Sequence, residues 1–163
     1  MYIIATRSFP PDVGGMQSLM WGLSKEMSKN FMIKVFADYH ENHKEFDGDV
    51  NFSIERVGGI KFLRKIRKAQ LINEFLKNSK VQGIIADHWK SLELIKSSIK
   101  KYCLIHGKEI NHPKDSSQNK RIIKVLDKVD KVIANSEYTK DLAISIGINP
   151  VSYTHLRAHE TSE

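Results

Sequence analysis

Four short stretches combine residue types able to do chemistry. In RSFPPDVGG, Gly14 and Gly15 follow a stiff Pro10-Pro11 pair and precede a helical pattern. Glycines there let a ligand approach the backbone, and unpaired amides at a helix N-terminus favour an anion such as phosphate. The same residues also serve as a tight strand-to-helix connection. The loop is not G-x-G-x-x-G, and the chain has no G-x-x-x-x-G-K-[ST] loop, so both nucleotide fingerprints are absent. The other three stretches are Asp87-His88-Trp89, His106-Gly107-Lys108-Glu109 and Asn135-Ser136-Glu137-Tyr138. A fifth feature, His155 and His159, has the four-residue spacing of metal ligands on a helix.

The elements that must position these stretches alternate along the chain. Short apolar runs at Tyr2 to Thr6, Phe31 to Ala37, Asn51 to Val57, Val81 to Ala86, Tyr102 to Ile105 and Lys131 to Asn135 read as strands. Between them, Met16, Leu19, Met20, Leu23 and Met27 recur at helical spacing. Lys61 to Lys80 is a longer helix, with Phe62, Ile66, Ala69, Ile72 (or Asn73) and Leu76 along one stripe and basic residues opposite. Short helices are expected over SLELIKSSIKK, QNKRIIKVLDKVD and SEYTKDLAISIG, the last capped by Ser136 and closed by Gly147. HENHKEFDGD reads as a polar loop. Such alternation implies an α/β fold: a Rossmann-like, mostly parallel sheet with helices on both faces. Ligands bind beyond the carboxyl ends of such strands. All four polar stretches fall at strand ends, so they are expected to converge on one edge.

Composition sets outer limits. The chain of 163 residues is 40% hydrophobic and 28% charged, ordinary for a globular domain with a real core. Cys103 has no partner for an internal disulfide, which fits a reducing, cytoplasmic setting. No apolar run approaches the roughly 20 residues that span a bilayer. The 26 basic and 19 acidic residues give +7, a surface that either attracts phosphorylated molecules, anionic lipid or nucleic acid, or simply solvates helix faces. No nucleic-acid motif is present and the basic residues are not interleaved with aromatics, so no nucleic-acid partner is expected.

Three segments in order, TRSFPPDVGGMQSLMWGLSKEM, LIHGKEI and VIANSEYTKDLAISIGI, resemble family-four glycosyltransferases of the two-Rossmann-domain (GT-B) type. The resemblance covers about residues 1–150 and points to the N-terminal, acceptor-side domain. It implies a retaining transferase that moves a sugar from a nucleotide-sugar donor to a glycan or lipid-linked acceptor. By position, Gly14 and Gly15 would bring amides to the donor diphosphate, where leaving-group charge develops. His106 would contact the transferred sugar near the oxocarbenium-like transition state, or else bond a neighbouring loop. Asp87 would bind a hydroxyl and Trp89 stack on a sugar ring, or Asp87 would cap the next helix with Trp89 packed inward. His88, Glu109 and Ser136 are further candidate sugar or acceptor contacts, Ser136 first of all as a helix start. No cofactor is expected, because the nucleotide sugar is a substrate.

Some patterns carry less. Asp47-Gly48-Asp49 is the D-x-D that holds a divalent cation in another glycosyltransferase fold, but here its loop setting suits a turn. His40, His43 and His112 are scattered, so no metal site is expected. Cys103 lies within a strand, a poor place for a nucleophile.

The tail differs from all that precedes it. Val151 to Thr161 reads VSYTHLRAHET, which resembles one translated frame of a transposase adapter used in DNA library preparation. Residues 151–163 are therefore expected to be non-native, to stand outside the fold, and to make the His155/His159 spacing accidental. The fragment is expected to end before the donor domain and to be inactive alone. The alternative is a stand-alone Rossmann-like module that binds a phosphorylated ligand or a protein. The basic Lys61–Lys80 helix either packs on the sheet with its lysines in water or lies against an anionic membrane, making the protein peripheral at the inner membrane face.

Overall fold

A computed structural model describes residues 1–149 in full and the backbone of Tyr153–His155. The strands are β1 (Tyr2–Ala5), β2 (Ile33–Asp38), β3 (Ser53–Val57), β4 (Gly83–Ala86), β5 (Lys100–Ile105), β6 (Lys131–Ala134) and β7 (Tyr153–His155). The helices are α1 (Gly15–Ser28), α2 (His43–Gly48), α3 (Lys61–Asn78), α4 (Trp89–Leu92), α5 (Ser117–Leu126) and α6 (Glu137–Ser145). All strands are parallel, in the order β3-β2-β1-β4-β5-β6-β7. The chain winds outward from β1 to β3, crosses back through α3, and winds the other way from β4. β1 and β4 are neighbours, so the winding reverses between them.

The period-two alternation of each strand sorts its residues into two cores. Ile3 and Ala5 enter one with Ile84, Cys103, Ile105 and Val132, against Ala69 and Ile72 of α3, Trp89 of α4 and Ile122 of α5. Ile4, Val35 and Leu104 face the other, against Met20 of α1 with Met16, Trp21 and Leu23 packed around it. Fully burying an Ile contributes about 1.5–3 kcal/mol, and both faces of β1 are sealed in this way.

Several expectations need correction. The HENHKEFDGD segment holds the short helix α2 rather than a bare loop, because Phe46 has an aromatic seat 5.0 Å from the Trp21 ring. The helix expected over SLELIKSSIKK is only the single turn α4. Asn73 of α3 accepts from the Lys96 amide at 3.0 Å and donates to the Leu94 carbonyl at 2.9 Å, taking backbone groups that a longer helix would use. In α3 the buried stripe is Lys68, Ala69 and Ile72, whereas Phe62 is 69% exposed. The expected stripe was thus rotated at its N-terminal end.

The backbone of Tyr153–His155 pairs with β6 although the tail was expected to stand outside the sheet. An open strand edge presents unpaired amides and carbonyls that a short extended segment can satisfy. The side chains of His155 and His159 lie outside the described residues. Among the described residues no helix is long and apolar enough to cross a membrane.

Candidate functional site at the carboxyl edge

The edge is assembled around Asp87, which follows β4 and is 4% exposed. Its Oδ2 accepts from the Thr6 hydroxyl at 2.6 Å, the Arg7 amide at 3.0 Å and the Ser8 amide at 3.3 Å. Asp87 therefore pins the start of the β1 loop and neither caps a helix nor faces a ligand through that oxygen. Its Oδ1 is buried without a partner. The far part of the loop is held from the other direction. Phe9 is buried in the α1-side core, and Arg56 of β3 donates to the Pro10 carbonyl while forming a two-point ion pair with Asp47 at 2.6 and 3.0 Å. Asp47 is thus an ion-pair partner, and among the described residues no group of three or more potential ligands gathers for a metal.

At the end of this loop, Gly14 takes the N-cap position of α1, and no side chain caps the helix. Gly15 is exposed, with nothing within 4 Å of the position a Cβ would take. The first amides of α1 are therefore open, the arrangement that favours an anion.

His88 caps α4: its Nδ1 accepts from the Lys90 amide at 3.0 Å. With Nδ1 accepting, the ring proton sits on Nε2. Burial, then the nearby charges of Arg7, Lys90 and His106, lower its pKa to about 3, so His88 is neutral. Trp89 is completely buried and donates from Nε1 to the Glu109 carbonyl at 3.2 Å. It takes the packed alternative.

The β5 loop turns at Gly107, whose φ of +101° suits glycine alone. Glu109 closes the turn by accepting the His106 amide at 2.5 Å, so Glu109 is occupied as a loop brace. His106 Nε2 is buried with no hydrogen-bond partner. An orphaned polar atom at a strand end costs free energy that a ligand hydroxyl would recover. Beyond it, Ser136 caps α6 by accepting from Thr139 at 3.1 Å, as its sequence position suggested. A Cβ on Gly107 would stand 3.3 Å from the Thr139 hydroxyl, so the β5 and β6 loops touch. Cys103 is buried, and burial together with Asp87 and Glu109 pushes its thiol pKa well up, leaving it unreactive.

Residues that the motifs did not reveal complete the edge. A cavity of about 510 Å³ opens between Arg7 of the β1 loop, the N-terminal half of α3, Lys90 and Ser91 of α4, and Arg121 of α5. Lys68, 4% exposed, reaches the edge to pair with Asp38 and to donate to the Thr6 carbonyl. Burial lowers its pKa, and Asp38 opposes that shift. Lys68 had a legible signal: it precedes Ile72 by four residues and so shares the face that Ile72 buries.

The sheet order and the crevice where its winding reverses define a Rossmann-like α/β fold, one half of the GT-B architecture. No protein-family model matches the sequence, and no curated protein matches it significantly. Solved structures do match. Anabaena HepE in complex with UDP superposes with a TM-score of 0.69 at 15% identity, over 94% of this chain and 43% of that one. The lipopolysaccharide outer core galactosyltransferase WaaB, in its apo form, gives 0.62 at 14% identity, over 94% of this chain and 44% of its own. UDP-N-acetylglucosamine 2-epimerase from Rickettsia bellii gives 0.65 at 11% identity, over 95% and 44%. The chain thus spans less than half the length of these structures.

Proposed function

We propose that this chain is the acceptor-side half of a retaining glycosyltransferase. The full protein would move a sugar from a nucleotide-sugar donor to a glycan or lipid-linked acceptor, and residues 1–149 alone would be inactive. The observation that carries the reading is the joined carboxyl edge, where open α1 amides and the orphaned His106 Nε2 occupy one rim of a GT-B half-fold. Neighbours of that fold bind UDP and UDP-glucose or transfer galactose by name, which supports a nucleotide-sugar donor.

In the reaction, the bond from the sugar's anomeric carbon to the diphosphate breaks, and the diphosphate keeps the electron pair. The acceptor oxygen bonds that carbon and passes its proton to the departing diphosphate. The amides of Gly14 and Gly15 would stabilise the departing charge, and His106 Nε2 would hold a hydroxyl of the sugar. Residues 151–163 are assigned to adapter-derived sequence and have no part in this chemistry. Ile60, Phe62 and Leu63 are exposed beside Lys61, Arg64 and Lys65, a composition that supports peripheral contact with an anionic membrane at its cytoplasmic face.

The test uses a two-domain protein made by extending residues 1–149 through their native reading frame. Transfer should appear there and be absent from the fragment. His106→Ala should lower kcat on the order of a hundredfold, with nucleotide affinity and melting temperature unchanged. Robust transfer by the fragment would overturn the half-enzyme reading. Near-wild-type turnover of His106→Ala would remove its catalytic role.

A further inference from the structure

The 510 Å³ cavity is strongly basic. Arg7, Lys61, Lys65, Lys68, Lys90 and Arg121 line it, with Asp38 the acid on its wall. The partial neutralisation is specific. Lys68 pairs with Asp38, while Lys65 at 2.9 Å and Arg121 at 2.7 Å share the single carboxylate of Glu93. Arg7, Lys61 and Lys90 form no ion pair among the described residues. The cations converge closely enough to repel. After burial, the charges of Arg7, Arg121 and Lys65 are what lower the pKa of Lys90. Ser91 Oγ, on the same wall, is buried with no hydrogen-bond partner. Surplus positive charge, a spare hydroxyl and a concave wall together suit a multiply charged oxyanion.

Two further observations narrow the ligand. The cavity opens between α3, α4 and α5, on the opposite face of the sheet from the core that α1 seals. It is therefore separate from the open amides at Gly14 and Gly15. Ile60 and Phe62, 73% and 69% exposed, stand on its wall and offer an apolar surface next to the charge.

We propose that this basin binds the phosphoryl group of the acceptor, a phosphomonoester or diphosphate whose apolar portion rests on Ile60 and Phe62. Assignment of that ligand as the acceptor rests on the function proposed above; the phosphoryl site does not. In this arrangement the ligand supplies the charge that Arg7, Lys61 and Lys90 lack, and the hydroxyl of Ser91 donates to a phosphate oxygen.

Calorimetric titration of the 163-residue chain with inorganic pyrophosphate tests the basin directly. Saturable one-to-one binding is expected, weakening as salt rises. The double variant Lys61→Gln/Lys90→Gln removes no ion pair and should keep its melting temperature while binding about tenfold more weakly or worse, as expected for two lost charged contacts. Geranyl diphosphate separates the ligand sources. Tighter binding than pyrophosphate, with the gain lost in Phe62→Ser, identifies an amphiphilic phosphate; equal affinity identifies a water-soluble one. Both uphold the phosphoryl site, and equal affinity overturns the apolar contact with Ile60 and Phe62. No saturation in the wild type, equal affinity in the double variant, or binding only to anionic vesicles would overturn it. Tighter binding of UDP with the same residue dependence would assign the basin to the donor and overturn the acceptor assignment. Absence of sugar transfer by the two-domain protein would refute the proposed function yet leave this titration unchanged.

Discussion

Asp87 shows how one side chain commits a whole loop. Its Oδ2 takes three donors from Thr6, Arg7 and Ser8, which lie 79 to 81 residues earlier in the chain. Asp87→Ala would leave the Arg7 amide without its acceptor and take one partner each from the Thr6 hydroxyl and the Ser8 amide, which keep their bonds to the Ser8 carbonyl and the Thr6 hydroxyl. The stranded amide and the lost bonds to a charged acceptor together cost about 3 kcal/mol. Thermal melts should show a loss of about 10 °C for a domain of this size. Asp87→Asn keeps one acceptor oxygen and should lose roughly half as much. A melt of Asp87→Ala unchanged from wild type would mean that the loop is held elsewhere. From sequence, Asp87 was legible as an important strand-end residue, but its role was not. Its partners come from the first strand, and only the order of strands in the sheet brings them together.

The single-turn helix α4 depends on a histidine cap, and this gives it a pH dependence. His88 has a folded pKa of about 3 against an ordinary 6.5. Between those values the unfolded chain binds more protons than the folded one, so stability rises with pH across that window and is lost as pH falls through it. The slope from this group is at most about 1.4 kcal/mol per pH unit. His88→Asn retains a capping acceptor and removes the titration. Denaturation between pH 4 and 7 should therefore show a shallower slope in His88→Asn than in wild type. Equal slopes would mean that His88 is not held neutral. At this scale the sequence was informative about strands and the longer helices, because period-two and 3.6-residue patterns depend on local spacing alone. It failed at α2 and α4. Phe46 is drawn into a helix by Trp21, and the chain after Leu92 is drawn out of one by Asn73. Both causes are tertiary and leave no local pattern.

The sheet ends on one side at β7, where the backbone of Tyr153–His155 pairs with β6. Among the described residues the tail adds only the three backbone-paired positions of β7 at this edge, so removing residues 151–163 should lower the melting temperature by only a few degrees, as expected for about 1 kcal/mol. A large loss would show that the tail belongs to the fold and would defeat its assignment to adapter sequence. The parallel α/β architecture was legible because strands and helices alternate so regularly. The basic cavity was not, because Arg7, Lys68, Lys90 and Arg121 come from four separate elements and share no spacing in the chain.

For anyone wishing to exchange specificity between related chains, the β1 loop behaves as a cassette with a fixed frame. Asp87 seats its first residues, and Phe9 and Arg56 seat its middle. Only the short span from Asp12 to Gly15 is open to replacement, and Val13 there is 92% exposed. A transplant confined to that span keeps its foundations. One that begins at Thr6 must bring Asp87, Arg56 and Asp47 with it, although those three residues lie far from the loop in the sequence.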